Sequence, residues 1–354
     1  MGGIPNSYTG SITKFITYVV PFAIIFLCWS LVIVILFCCV LEDQPGVKNP
    51  GKFLRLTRCI QSQSATAERL FRRIFGEYIH HRTKTGINYL LRERNPAAQA
   101  LYMTLMIVVL FTTFSSCSPY LNAQARFLFV ALYSACWATF CWCCTSTPGV
   151  ITESNHEQLL KQFPYDRLLF VPGQLCRSCK FTKVARSKHC SLCNVCVSRF
   201  DHHCVFLNVC IGGKNVHKFL LFLLVKSLSS VYMAFLLFQV LFSIVAEKEL
   251  LTRRLVNSAG QPLPNNALTI TRYLLGHHLQ ICLLQMLVLP TAIMITMFLG
   301  FHILILTRNQ TTNEYYKIIA VKSANDRAIA SKFYYRAAGG FVATIRAMIG
   351  RDLQ

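Results

Sequence analysis

Five apolar stretches in this chain of 354 residues are each long enough to cross a lipid bilayer as a helix. A membrane-spanning helix needs about 20 residues, because each residue advances the helix by about 1.5 Å. The stretches cover residues 15–41, 97–117, 126–146, 218–246 and 279–306. The first is longer than the core of a signal peptide, so we interpret it as a retained span. The sequence therefore predicts an α-helical polytopic membrane protein with about five transmembrane helices.

The basic residues predict which side of the membrane each segment faces. Lys and Arg number 36 against 14 Asp and Glu, giving a net charge of +22. Segments 42–96, 147–217 and 307–354 hold eleven, nine and eight of these basic residues, whereas 1–14 and 247–278 hold one and four. Because Lys and Arg accumulate in cytosolic loops, the first three segments are predicted to be cytosolic and the last two lumenal.

The cytosolic loop 42–96 allows two interpretations. Its apolar and basic residues recur at roughly helical spacing from Ala65 to Leu91. Such a pattern fits either a basic amphipathic helix on an anionic leaflet or a solvated connector helix. A nucleic-acid binder is not favoured for the chain, because the charge follows the loops and the cysteine-rich segment lacks interleaved stacking aromatics.

Segment 147–217 concentrates cysteine and histidine with the spacing of metal sites. It reads C-x2-C-x9-H-C-x2-C-x2-C-x4-D-H-H-C-x5-C. The ten donors are Cys176, Cys179, His189, Cys190, Cys193, Cys196, His202, His203, Cys204 and Cys210. Thiolates and imidazoles on such spacers suit tetrahedral zinc, and a cytosolic location disfavours disulfides. We predict a zinc-binding domain of short β-hairpins and knuckles between the third and fourth spans.

The number of donors also predicts a reactive cysteine. Two closed tetrahedral sites use eight of the ten donors, which leaves two, and spacing alone does not say which two. A nucleophilic thiol needs a nearby base, and that base needs an orienting carboxylate. Asp201, His202, His203 and Cys204 supply all three groups in four residues, which favours Cys204 with His202 as the reactive pair.

The cysteine-rich segment resembles that of the DHHC family of protein S-acyltransferases, or palmitoyltransferases, which the motif Asp201-His202-His203-Cys204 names. Thr311-Thr312-Asn313-Glu314, after the last span, is similar to the family's TTxE motif. Pro148-Gly149, after the third span, is similar to its DPG motif, with Thr147 in place of Asp. The order of the three motifs and their predicted cytosolic location agree with the family.

The resemblance implies roles for individual residues. One structural zinc ion would be bound by Cys176, Cys179, His189 and Cys196, and the other by Cys190, Cys193, His203 and Cys210. Cys204, His202 and Asp201 would be catalytic, and Thr312 would help to hold Asp201. The chain departs from the family after Cys204, where Val205 and Val209 replace a proline and a second asparagine and Phe206 replaces a tryptophan.

The implied activity is transfer of a long-chain acyl group from acyl-CoA, with palmitoyl-CoA as the expected co-substrate, to cysteines of membrane-associated protein substrates. Candidate contacts for the CoA phosphates are Lys180, Lys183, Arg186, Lys188 and Lys214, although the same residues fit a solvated basic loop. The resemblance also implies the endoplasmic reticulum or Golgi, with a cytosolic active site. The alternative is a catalytically weak or inactive membrane-anchored zinc-binding adaptor.

Overall fold

The computed structural model describes residues 93–321 except 253–254 and 257–259, together with single positions and short runs within 73–89 and 323–329. The predicted first span at 15–41 and most of the loop 42–96 lie outside the described residues. The chain forms two compact units. We call the unit that contains Thr104–Ala138 and Phe222–Leu299 the span unit. We call the unit that contains the other described residues the site unit.

Four described helices are long and apolar enough to cross a membrane. They are α1 (Ala97–Cys117), α2 (Ala123–Cys144), α4 (Val216–Glu247) and α6 (Leu279–Thr307). A short 3-10 helix, Ser118–Tyr120, follows α1. These bounds lie within a few residues of the second to fifth predicted spans, and the helices indicate a multi-pass membrane protein. Which side of the membrane each end faces stays a prediction.

Within the span unit, apolar side chains pack between helices and also cover the outward faces. Leu237 and Val240 of α4 and Leu284 of α6 are at most 2% exposed. Phe127 and Met297 are 76% and 70% exposed, as expected of side chains that face lipid. A polar contact also joins two of these helices, the 2.8 Å hydrogen bond between the Ser227 and Thr296 hydroxyls.

The described connection between α4 and α6 contains a short hairpin and a helix. Strands β5 (Leu255–Val256) and β6 (Pro262–Leu263) pair antiparallel, and helix α5 spans Ala267–His277. The Asn266 side chain caps α5 by accepting a hydrogen bond from the Thr269 N–H at 2.9 Å.

The site unit contains the cysteine-rich segment. That segment begins with helix α3 (Glu153–Leu160), which two hairpins follow. In the first hairpin, β1 (Lys188–Cys190) pairs with β2 (Val195–Val197). In the second, β3 (His202–Cys204) pairs with β4 (Val209–Ile211). Helix α7 (Thr312–Ala320) follows α6. Both hairpins are antiparallel, so the predicted fold class of long apolar helices with a cysteine-rich domain of short hairpins is confirmed.

Candidate active site

Two groups of four cysteine and histidine side chains lie in the hairpin region. Within each group, all four ligand atoms lie within 4.8 Å of one another. The first group is Cys176, Cys179, His189 and Cys196, and the second is Cys190, Cys193, His203 and Cys210.

The distances between these atoms fit bound metal ions. The Cys179 and Cys196 sulfurs lie 3.3 and 3.8 Å from His189 Nδ1, and the Cys210 sulfur lies 3.5 Å from both Cys193 Sγ and His203 Nδ1. Ligand atoms of a tetrahedral site with metal–sulfur bonds near 2.3 Å lie about 3.7 Å apart. Each group can therefore hold one metal ion.

Local backbone structure brings the ligands of the first group together. The Lys180 N–H donates to the Cys176 carbonyl at 2.8 Å, and the Cys176 N–H donates to the Phe181 carbonyl at 2.8 Å. Lys180 has a φ of 63°, which turns the chain sharply after Cys179. The paired cysteines thus sit on one tight knuckle, as the two-residue spacer predicts.

Strand alternation separates the two groups along β1. His189 lies opposite Cys196 in the register of the first hairpin. Successive side chains of a strand point to opposite faces, so His189 and the adjacent Cys190 face different directions. Each of the two residues accordingly belongs to a different metal group.

The same alternation along β3 separates the adjacent histidines of the motif. His203 lies opposite Cys210 and its ring contacts the thiols of the second group. His202 and Cys204 are two residues apart, so they share the other face of the strand. Cys204 and His202 belong to neither metal group.

Asp201 binds the imidazole of His202. The Asp201 Oδ2 atom accepts a hydrogen bond from His202 Nδ1 at 2.6 Å, and Asp201 is only 3% exposed. This bond leaves Nε2 as the imidazole nitrogen available to Cys204. The ring of His202 also packs edge-on against Phe219, with 5.1 Å between centroids, which limits its rotation.

The TTxE-like motif forms the beginning of α7. Thr311 is the N-cap, and its hydroxyl accepts from the Glu314 N–H at 3.2 Å, while Glu314 Oε2 accepts from the Thr311 N–H at 2.9 Å. Threonine and glutamate three residues apart thus form a capping box. Thr312, the first helical residue, donates its N–H to Asp201 Oδ1 at 2.7 Å and its hydroxyl to Asp201 Oδ2 at 2.9 Å.

These contacts change the acid–base properties of the buried groups. Burial alone would raise the pKa of Asp201, but hydrogen bonding and the charge of His202, together with the Thr312 N–H, lower it to about 2. Burial opposes charge on His202, yet Asp201 and Cys204 raise its pKa to about 10. Burial also raises the pKa of the Cys204 thiol, but the interaction with His202 outweighs it and the pKa falls below its usual value. The three groups together favour a thiolate on Cys204.

The loop after Cys204 is held by residues that precede or begin α1. The Phe206 ring lies 6.3 Å from the Tyr102 ring in an edge arrangement. Arg94 donates from Nη2 to the Asn208 carbonyl at 3.1 Å, and Asn208 takes a positive φ of 53°. Leu207 is 1% exposed. The turn after Cys204 is therefore packed at Phe206, Leu207 and Asn208, although its sequence departs from that of the family.

The segment similar to the DPG motif packs along β2. The Gly149 carbonyl accepts from the Ser198 N–H at 2.9 Å, and Gly149 has a φ of 91°, which a side chain would strain. The Thr147 hydroxyl accepts from the Gly149 N–H at 3.4 Å, so threonine supplies an acceptor at the position where the family has aspartate. A Cβ on Gly212 would meet the Pro148 carbonyl at 2.5 Å, which requires glycine there.

The five basic residues expected near CoA phosphates differ in exposure. Lys180 and Lys214 are exposed, and Lys183 is partly buried. Lys188 is also partly buried, with its ammonium 5.3 Å from the centre of the Phe200 ring. Arg186 is only 5% exposed and binds Glu314, so it lacks the exposure expected of a phosphate-binding cation.

Sequence reasoning missed the buried partners of the motif residues. Arg186 and Arg199 both donate hydrogen bonds to Asn309 in the loop before α7, and Phe219 packs on the catalytic histidine candidate. Basic residues in a predicted cytosolic loop carry no sign that they are buried, so the sequence offered no signal for the two arginines. Glu314 did carry one, because T-x-x-E beside an apolar run predicts a capping box.

The family model for DHHC palmitoyltransferase matches residues 170–319. A palmitoyltransferase swf1 of Emericella nidulans is 33% identical over 231 residues, which cover 64% of this chain and about half, 54%, of that protein. Palmitoyltransferase ZDHHC4 of Rattus norvegicus is 29% identical, with 69% of this chain and 73% of the relative covered. ZDHHC4 of Bos taurus is 30% identical over 276 residues, with 74% and 78% covered.

Proposed function

Because this chain belongs to the DHHC palmitoyltransferase family, we propose that it transfers a long-chain acyl group from acyl-CoA to cysteine thiols of protein substrates through an acyl-Cys204 intermediate. One observation carries the assignment of residues. Strand β3 turns His203 toward a metal group and leaves His202 and Cys204 together on its other face, with His202 bonded to Asp201.

In the proposed first step, the Cys204 sulfur attacks the thioester carbonyl of acyl-CoA. His202 holds the proton taken from Cys204 and returns it to the departing CoA sulfur, so one thioester bond forms as another breaks. In the second step, a substrate thiol gives its proton to His202 and attacks the acyl group. Cys204 leaves as the thiolate, and Asp201 keeps the imidazole oriented in both steps.

The two metal groups are proposed to hold structural zinc ions. Three thiols and one imidazole per group are a common ligand set for closed zinc sites. Zinc bound there would stabilise the two hairpins by joining their strands to the knuckles beside them. Cys204 and His202 depend on this framework for their positions, while their own side chains stay outside the metal groups.

A membrane location fits the proposed substrate. Burying a methylene group is worth about 0.8 kcal/mol, so a long acyl chain is expected among apolar helices with its thioester at the membrane boundary. We propose that the active site faces the cytosol, where acyl-CoA and the cysteines of membrane-associated proteins meet. Lys180, Lys183, Lys188 and Lys214 stay candidates for the CoA phosphates.

The alternative, a zinc-binding adaptor without turnover, was suggested by the altered residues after Cys204. The packing of Phe206, Leu207 and Asn208 supports the enzyme instead, because the loop next to the nucleophile is held by a ring contact, a buried leucine and a hydrogen bond. Incubation of the detergent-purified chain with acyl-CoAs of several lengths tests the choice. CoA release that depends on Cys204 supports the enzyme, and bound zinc without CoA release supports the adaptor.

Removing the Thr312 hydroxyl is expected to slow acyl transfer. Thr312→Val keeps the backbone hydrogen bond to Asp201 but removes the hydroxyl bond, and a hydrogen bond to a charged group contributes about 1.5–3 kcal/mol. We expect about a tenfold slower autoacylation with both metal ions retained. Thr307→Val is the control, because the described hydrogen bond of that hydroxyl joins it to the Leu304 carbonyl in the same helix and not to Asp201. Equal rates in the two variants would contradict the role of the Thr312 hydroxyl.

A further inference from the structure

Two buried arginines of the cysteine-rich segment converge on the loop that precedes α7. Arg186 donates from Nε and Nη2 to the two carboxylate oxygens of Glu314, each at 2.6 Å. The same Nη2 donates to the Asn309 carbonyl at 2.7 Å, and Arg199 donates to Asn309 Oδ1 at 2.7 Å. The Arg186 and Glu314 side chains are 6% and 0% exposed, so the ion pair is fully buried.

This network is costly to form, which argues that it does more than stabilise the fold. Taking both charges of an ion pair out of water opposes folding, and well-packed apolar side chains often stabilise such a position equally well. Arg186, Arg199 and Asn309 also take positive φ values of 65°, 45° and 51°. Arginine rarely adopts this conformation, and such positions cluster at functional sites.

The contacts of Arg186 and Arg199 fix the position of the first turn of α7. The carboxylate of Glu314 that binds Arg186 also accepts the N–H of the N-cap residue, which fixes the start of the helix. The next residue, Thr312, donates both its N–H and its hydroxyl to Asp201. Asp201 in turn binds His202. A continuous series of short contacts therefore connects Arg186 to the imidazole beside the proposed nucleophile.

We propose that Arg186 and Glu314 are positioning residues for acyl transfer: they fix the beginning of α7 so that Thr312 orients Asp201 and, through it, His202. This inference rests on the function proposed above. Neither residue touches the reacting atoms, so the pair acts on the rate of the chemical step and leaves the affinity for acyl-CoA unchanged. Lost orientation of a catalytic group slows chemistry by one to two orders of magnitude, roughly.

The test uses the full chain in detergent and a double variant, Arg186→Met together with Glu314→Met. Methionine has a similar length and removes both charges at once, so no buried charge is left alone. The expected result is autoacylation at saturating palmitoyl-CoA that is about tenfold slower or more, a half-saturating concentration within about twofold, and two zinc ions per chain. The control is Arg177→Met, the same change at an exposed arginine of the segment, with an unchanged rate.

A conservative variant covers the case in which the double variant does not fold. Arg186→Lys keeps the buried charge, but one ammonium group cannot reproduce the paired bonds to Glu314 and the bond to Asn309. We expect a rate between those of the parent and the double variant, again with two zinc ions. Loss of zinc in both variants would overturn the proposal, because it would assign the pair to the metal sites.

A second readout separates this proposal from the proposed function. Alkylation of Cys204 by iodoacetamide, mapped by peptide mass spectrometry, reports the orientation of the thiol and imidazole without any acyl-CoA. If the parent chain fails to autoacylate, the proposed function fails, while alkylation still tests the pair. About tenfold slower alkylation in the double variant supports the proposal. Parent-like alkylation with both zinc ions bound would overturn it.

Discussion

Replacement of Cys204 by serine is expected to abolish covalent labelling of the purified chain by a clickable palmitoyl-CoA analogue. The sulfur of Cys204 lies outside both metal groups and beside His202, which lowers the pKa of the thiol. A serine hydroxyl at this position is a far weaker nucleophile, because its proton is much harder to remove. The hydroxylamine-sensitive labelling should therefore fall at least a hundredfold, to the background level. Gel fluorescence before and after hydroxylamine measures it.

Two controls make this result specific. Cys282→Ser changes a partly buried cysteine near the beginning of α6, outside the two metal groups, and should leave labelling unchanged. Zinc analysis of Cys204→Ser should still give two ions per chain, because Cys204 is no ligand in either group. Labelling that persists in Cys204→Ser would show that Cys204 is not the nucleophile and that another cysteine is acylated.

Alanine substitutions of the adjacent histidines are expected to affect different properties, the rate of autoacylation for His202 and metal binding for His203. His202→Ala should keep two metal ions and slow autoacylation by about a hundredfold or more, the usual contribution of a general acid–base group. His203→Ala should lose a metal ion and with it most of the activity, because His203 contacts the thiols of the second group. The measurements are zinc per chain by elemental analysis and autoacylation rate at saturating palmitoyl-CoA.

His277→Ala, at an exposed histidine in the last turn of α5, should change neither quantity. If His202→Ala lost zinc and His203→Ala kept it, the roles of the two histidines would have to be exchanged. Loss of zinc in both variants would contradict the separation of the two side chains by β3.

Much of this protein could be predicted from local patterns. The second to fifth apolar stretches became helices of nearly the predicted length, because a run of about 20 apolar residues has few other stable structures in a membrane. The two-residue spacers around Cys176 and Cys193 predicted metal knuckles, since spacing of this kind is itself the geometry of a ligand pair. The first span and the sidedness stay predictions.

The amino-acid sequence alone predicts the four described apolar helices, the ten cysteine and histidine donors, and the two donors in excess of two closed sites. The sequence favours Cys204 and His202 as the two donors that remain. In the folded chain both residues lie on one face of β3 and outside the two metal groups, an arrangement that depends on the strand lying opposite. In the folded chain, Arg186 is also buried against Glu314, more than a hundred residues away, although it belongs to a basic loop in the sequence. Contacts at that separation depend on how the chain folds back on itself, and no local pattern encodes them.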